Sequence, residues 1–153
     1  MKKIALSWDE CLGYSQALAG LIKGRTGAPY DLIVSIARGG WIPARLIAKH
    51  LNIRELVSYG VRSYNDEDEQ EKVVVYQDFP KNIDTLVRDR HVLIVDDIAD
   101  TGKTLRTAYD ILLKLHPKTL ATACTHFKKR STIEPKFYIH EVEDTTWIEF
   151  PWE

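Results

Sequence analysis

The chain has 153 residues, 44% apolar and 28% charged, and Lys plus Arg (21) nearly balances Asp plus Glu (22) for a net charge of −1. That length suits one domain, and the balance argues against a protein that lives by coating nucleic acid or an anionic membrane. Two cysteines, Cys11 and Cys124, exclude a disulfide scaffold, and no apolar run approaches the ~18 residues of a membrane span. The opening Met1-Lys2-Lys3-Ile4 is followed by Asp9 and Glu10 rather than an apolar h-region. No signal peptide is therefore expected, and a reducing cytoplasm is the expected compartment.

In chain order, Ser7-Trp8-Asp9-Glu10 fits a capping box and opens a helix whose apolar stripe is Cys11, Tyr14, Leu18 and Leu21 or Ile22. Gly24, Gly27 and Pro29 are expected to end it. Leu32 to Ile36 reads as a buried strand and Ala37-Arg38-Gly39-Gly40 as a tight loop. Pro43 suits the first turn of a second helix, continued by Leu46, Ile47 and Leu51. Strands over Leu56 to Tyr64 and Val73 to Phe79 flank an acidic stretch, Asp66-Glu67-Asp68-Glu69, and are expected to pair as an antiparallel hairpin. Val92 to Asp96 is a continuous apolar run ending in a carboxylate, the pattern of a strand covered on both faces. Asp97 to Gly102 is its expected loop. Leu105, Ala108, Ile111, Leu112 and Leu115 mark an amphipathic helix stopped by Pro117, and strands follow at Leu120 to Thr125 and Tyr138 to Val142. Strand, helix, strand occurs twice, which predicts an α/β domain with a mainly parallel central sheet flanked by helices. Ligands in such sheets bind beyond the carboxyl ends of the strands.

At that edge lies Asp96-Asp97-Ile98-Ala99-Asp100-Thr101-Gly102-Lys103-Thr104. Helix-terminal N–H groups, the hydroxyls of Thr101 and Thr104 and a glycine that lets the chain approach closely make a phosphate cradle. Carboxylates cannot hold a phosphate, but they accept hydrogen bonds from sugar hydroxyls, support a metal ion or take a proton. Phosphate donors beside carboxylates suit a phosphorylated sugar. A plain helix cap by Asp97 or Asp100 would account for one of the three acids, not all. Gly102-Lys103-Thr104 matches the end of a P-loop, but that pattern needs glycine where Asp97 stands.

Val92 to Thr104 resembles the phosphoribosyl diphosphate (PRPP) signature of type I phosphoribosyltransferases: four apolar residues, two acids, two variable residues, then Asp-Thr-Gly-x-Thr. Ser35-Ile36-Ala37-Arg38-Gly39-Gly40 with Ile42-Pro43 resembles the pyrophosphate loop of the purine enzymes, and Ser63-Tyr64 before the acidic stretch resembles their hood. Thr146 to Trp152 closely resembles the C-terminal segment of bacterial xanthine-guanine phosphoribosyltransferase and its archaeal purine relatives. The resemblance implies one phosphoribosyltransferase domain over 1–153, with a flexible β-hairpin hood at about 60–80 and a purine-binding segment at about 126–153.

It further implies a Mg²⁺-dependent purine salvage reaction: a 6-oxopurine (guanine, xanthine or hypoxanthine) and PRPP give a nucleoside 5′-monophosphate and pyrophosphate. Asp96 and Asp97 would hold the ribose hydroxyls, Asp97 sharing Mg²⁺ with PRPP. Asp100 would handle the proton of the purine imidazole, and Thr101, Gly102, Lys103 and Thr104 would bind the 5′-phosphate. Arg38 and Gly39 would bind pyrophosphate, in a loop where the family often has a non-proline cis peptide. Lys128, or its neighbour Lys129, would meet the 6-oxo group; Trp147 would stack on the base and the Ile148 backbone would meet its exocyclic group. Two departures stand out: the family's hood arginine is missing near Gln70, with Lys72 the nearest cation, and Lys103 replaces a glycine.

Each assignment has a blander counterpart. Trp147 could be a core aromatic, and Lys128, Lys129 and Arg130 a solvated basic turn. The five histidines show no metal-ligand spacing, so no zinc site is expected. A homo-oligomer, dimer or tetramer, is expected, without nucleic acid as a partner. The rival reading from another class is a PRPP-binding regulator on the same fold, with or without RNA binding. The even charge balance speaks against RNA, and Asp100 together with Trp147 speaks against an idle sensor.

Overall fold

The computed structural model describes residues 1–27, 30–65 and 71–153. Ser7 caps helix α1 (Trp8–Thr26) through the expected box: Glu10 N–H donates to Ser7 Oγ at 3.2 Å, and Ser7 N–H donates to Glu10 Oε2 at 2.7 Å. Such caps contribute about 1 kcal/mol. The helix runs through Gly24 and stops at Gly27, whose φ of 59° is the left-handed turn that glycine adopts without a Cβ penalty. Ile22 rather than Leu21 completes its buried stripe.

The main sheet has six strands in the order β4-β3-β2-β5-β6-β7, built from β2 (Leu32–Ala37), β3 (Glu55–Asn65), β4 (Glu71–Gln77), β5 (His91–Ala99), β6 (Thr119–Lys128) and β7 (Phe137–Val142). All neighbours are parallel except β3 and β4, which form the expected antiparallel hairpin. The alternation of a strand divides the core between the two faces. Leu32, Val34, Val92 and Ile94 pack with α4 (Lys103–Leu113), whereas Ile33, Leu93 and Val95 pack with α1 and α2 (Trp41–His50). Having both faces covered is why β2, apart from the buried Ser35, and the Val92 to Val95 stretch of β5 read as apolar runs.

Several boundaries differ from expectation. Strand β5 does not end at Asp96: Ile98 and Ala99 pair with His126 and Phe127 of β6, so the ladder carries both aspartates to the sheet edge. A short helix α3 (Ile83–Val87) was not legible in the sequence. Nor was a second, two-stranded parallel sheet, in which β1 (Lys2–Ala5) pairs with β8 (Thr146–Glu149). It covers a third apolar cluster of Leu6, Cys11, Ile148 and Phe150, with Ile98 packed alongside. Among the described residues, no helix is long and apolar enough to cross a membrane.

Candidate active site

Strand order reverses between β2 and β5, since β2 leads outward to β3 and β5 to β6. The crevice at such a reversal is where open α/β sheets bind ligands. Two loops meet there. In the first, the peptide between Ala37 and Arg38 is cis, and Gly39 follows against β5. A Cβ on Gly39 would lie 2.1 Å from Asp97 Oδ2, so only glycine brings this loop onto the carboxylate.

Asp97 is held from several sides. Its Oδ1 accepts from Ile98 N–H at 2.7 Å, its Oδ2 accepts from Trp152 Nε1–H at 3.1 Å, and its carbonyl accepts from the Thr125 hydroxyl at 2.8 Å. Asp96 Oδ1 accepts from Asp97 N–H at 2.9 Å. Burial raises the pKa of Asp97 and raises that of Asp96 well above the usual carboxylate range, with the neighbouring Asp97 charge adding to the effect at Asp96. A pair of carboxylates under this strain is a place where a cation would be favoured.

The second loop carries Asp100 and Thr101 to Thr104, the expected phosphate cradle. Gly102 adopts φ 78° ahead of α4, and a Cβ on it would sit 2.2 Å from Ser131 Oγ. Thr101 C=O accepts from Thr132 N–H at 2.8 Å, so the turn after β6 locks the cradle in place. Lys103 and Thr104 form the first turn of α4. Asp100 Oδ2 accepts from Lys128 Nζ at 3.0 Å, and Asp100 Oδ1 accepts from Arg130 Nε at 2.6 Å and forms an ion pair with the same guanidinium. The Lys128 side chain is 4% exposed, whereas Lys129 is 77% exposed and pairs with Glu141. The structure thus sends Lys128 inward and Lys129 out. On β8, Trp147 is about half exposed (48%) while Ile148 is buried.

A cavity of about 940 Å³ opens between the first loop and the hairpin, lined by Arg38, Gly39, Arg62, Tyr76, Asp97 and Trp152 among others. Asp100, Lys128 and Trp147 do not line it. Three contributors escaped sequence reasoning: Trp152, Arg62 and Arg130. Trp152 lies inside the quoted C-terminal segment, but its bond to Asp97 spans 55 positions and nothing local signals it. The missing hood arginine near Gln70 falls outside the described residues.

Residues 14–153 match the family signature of the phosphoribosyl transferase domain. The chain belongs to the phosphoribosyltransferase family. It is 34% identical to the xanthine-guanine phosphoribosyltransferase of Cereibacter sphaeroides, over 99% of this chain and 87% of that one. Among solved structures, a purine phosphoribosyltransferase from Pyrococcus horikoshii superposes with a TM-score of 0.84 at 32% identity, covering 100% of this chain and 95% of that one. A Neisseria gonorrhoeae protein solved with bound ppGpp gives 0.84 at 30%, covering 99% and 89%. The expected α/β fold and its crossover loops are those of this phosphoribosyltransferase family. Its cis peptide stands in the loop where the resemblance placed one.

Proposed function

We propose that this phosphoribosyltransferase joins a 6-oxopurine base to PRPP in purine salvage, releasing a nucleoside 5′-monophosphate and pyrophosphate. The observation that carries the base class is the buried Lys128 ammonium 3.0 Å from the Asp100 carboxylate, one residue from the phosphate turn. A 6-oxopurine offers an imidazole N–H and an oxo oxygen along one edge. A carboxylate acceptor beside an ammonium donor complements that edge, whereas the 6-amine of adenine would face the ammonium donor to donor. The named activities of the Cereibacter sphaeroides and Pyrococcus horikoshii relatives support the same class.

The chain's residues divide the work. The Thr101–Thr104 turn, with Gly102 and Lys103, binds the 5′-phosphate through α4 N–H groups and hydroxyls. Asp96 and Asp97 accept hydrogen bonds from the ribose hydroxyls. Arg38 and the Gly39 backbone bind the pyrophosphate. Trp147 stacks on the base, and the Ile148 backbone meets its exocyclic group. A purine nitrogen forms the new bond to C1 of the sugar while the C1–oxygen bond breaks and pyrophosphate departs with the electron pair. The imidazole proton goes to Asp100, acting as general base. Arg38 stabilises the negative charge that accumulates on the leaving group.

The donor set fits Mg²⁺. Asp96 and Asp97 present hard carboxylate oxygens whose burial disfavours their uncompensated charge, and Mg²⁺ is typically bound by one or two carboxylates with substrate phosphates completing its shell. Asp97 would hold it, and the bound ion would neutralise phosphate charge.

The test is a pyrophosphate-release assay with PRPP, Mg²⁺ and guanine, xanthine, hypoxanthine or adenine. Release with at least one 6-oxopurine and little with adenine is expected; no release with any 6-oxopurine would sink the reading. Asp100→Ala should cut kcat by about 10²-fold or more, the usual scale of general-base loss, while PRPP still binds. Unchanged turnover in that variant would remove Asp100 from the reaction.

A further inference from the structure

We infer that Arg62, on the hairpin strand β3, is a second pyrophosphate-binding residue beside Arg38. The inference rests on the proposed reading of the Arg38 loop as the pyrophosphate site.

A short chain of contacts places it. Strand β3 shifts register against β4 between Gly60 and Val61. Such irregularities re-aim the side chains that follow. Gly60 leaves the space into which the Tyr76 ring fits, since a Cβ there would stand 2.6 Å from Tyr76 Cε2. The Tyr76 hydroxyl donates to the Ala37 carbonyl at 2.9 Å, across 39 positions of sequence. The hairpin is thereby tied to the cis peptide of the Arg38 loop. The Arg62 guanidinium lies 5.8 Å from the centroid of that anchored ring, within cation–π range. Arg62 and Arg38 line the same cavity.

Charge explains why one guanidinium would be too few. The cavity wall also carries the carboxylates of Asp97 and Glu153. Arg38 alone leaves that lining net negative. With Arg62 it reaches balance, so that a bound cation can tip the site in favour of a polyanion. Among the described residues, no carboxylate forms an ion pair with Arg62 or Arg38, so both guanidiniums keep their donors for a ligand. A planar guanidinium suits phosphate oxygens better than an ammonium, because its donors form a fixed fork. The tyrosine face holds that fork without using its N–H groups.

The experiment compares wild type, Arg62→Ala and Arg62→Lys by calorimetric binding of inorganic pyrophosphate with Mg²⁺ and by steady-state kinetics in both substrates. Arg62→Ala should weaken pyrophosphate binding and raise KM for PRPP by about tenfold or more, the loss that hydrogen bonds to charged groups typically carry. KM for the base should stay within about twofold. Arg62→Lys should recover part of the loss. A merely structural role would move both KM values together, lower the melting temperature, and so overturn the inference. Wild-type pyrophosphate affinity in Arg62→Ala would overturn it alone. If the wild-type protein itself neither binds pyrophosphate nor releases it from PRPP, the reading of the site fails and the inference with it.

Discussion

Single residues in this protein are set by how many neighbours compete for them. Asp100 shows it most directly: its two oxygens are taken by Lys128 on one side and Arg130 on the other. If Lys128 turns to a base as proposed, Arg130 still compensates the half-buried Asp100 carboxylate. His126 is a different case. It is buried among the rings of Tyr14, His140 and Phe150, and burial, with His140 adding, pushes its pKa down to about 4. The folded protein therefore refuses a proton that the unfolded chain accepts near its ordinary value of 6.5. Stability from this group is complete above that value and is lost as pH falls from it toward 4, by at most roughly 3 kcal/mol. His126→Asn should flatten that part of the acid slope in urea titrations run between neutral and acid pH. Parallel acid slopes for the two proteins would show that His126 is not the sensitive group.

Secondary-structure elements carry the division between what was legible and what was not. The strands β2 and β5 were readable because both faces are covered and Leu32 to Ile36 and Val92 to Val95 are apolar apart from Ser35. Strand β1, with the pattern Lys-Lys-Ile-Ala, has no such signal, since only one of its residues is partly buried. It exists because β8 supplies its ladder, with Lys3 opposite Trp147 and Lys3 Nζ 2.8 Å from Glu149. Leu6 N–H extends the pairing to the Glu149 carbonyl at 2.9 Å. The N-terminus thus braces the strand that bears the proposed base platform. Removing residues 1–5 should raise KM for the base several-fold and leave KM for PRPP within about twofold, because the proposed phosphate turn follows β5 of the main sheet. Equal effects on both substrates would mean that β1 supports the fold as a whole rather than β8.

The whole molecule balances charges that its parts do not. A net charge of −1 gives no hint of an anion site, yet the fold gathers Arg38 and Arg62 at one cavity and the α4 N-terminus at the next turn. It also buries Asp97 and partly buries Asp96, at an energetic cost that the proposed cation and sugar would offset. Saturating PRPP with Mg²⁺ should therefore raise the melting temperature by about 5–10 °C, the shift expected for ligand near a hundred times its Kd in a domain of this size. PRPP without Mg²⁺ should give a smaller shift, and scanning calorimetry showing none under either condition would count against the site. Read alone, the sequence determined the α/β class, the two buried strands and the Asp100 to Gly102 turn into α4, because these depend on local periodicity and on residues within one loop. It also carried the motifs by which the family is known. Only the tertiary structure decided that β6 runs on to Lys128, which turns that lysine and not Lys129 toward Asp100. Only it brought Trp152 to Asp97 and Tyr76 to Ala37. Those contacts join positions far apart in the chain, and their partners are chosen by strand order and register, which no local pattern encodes.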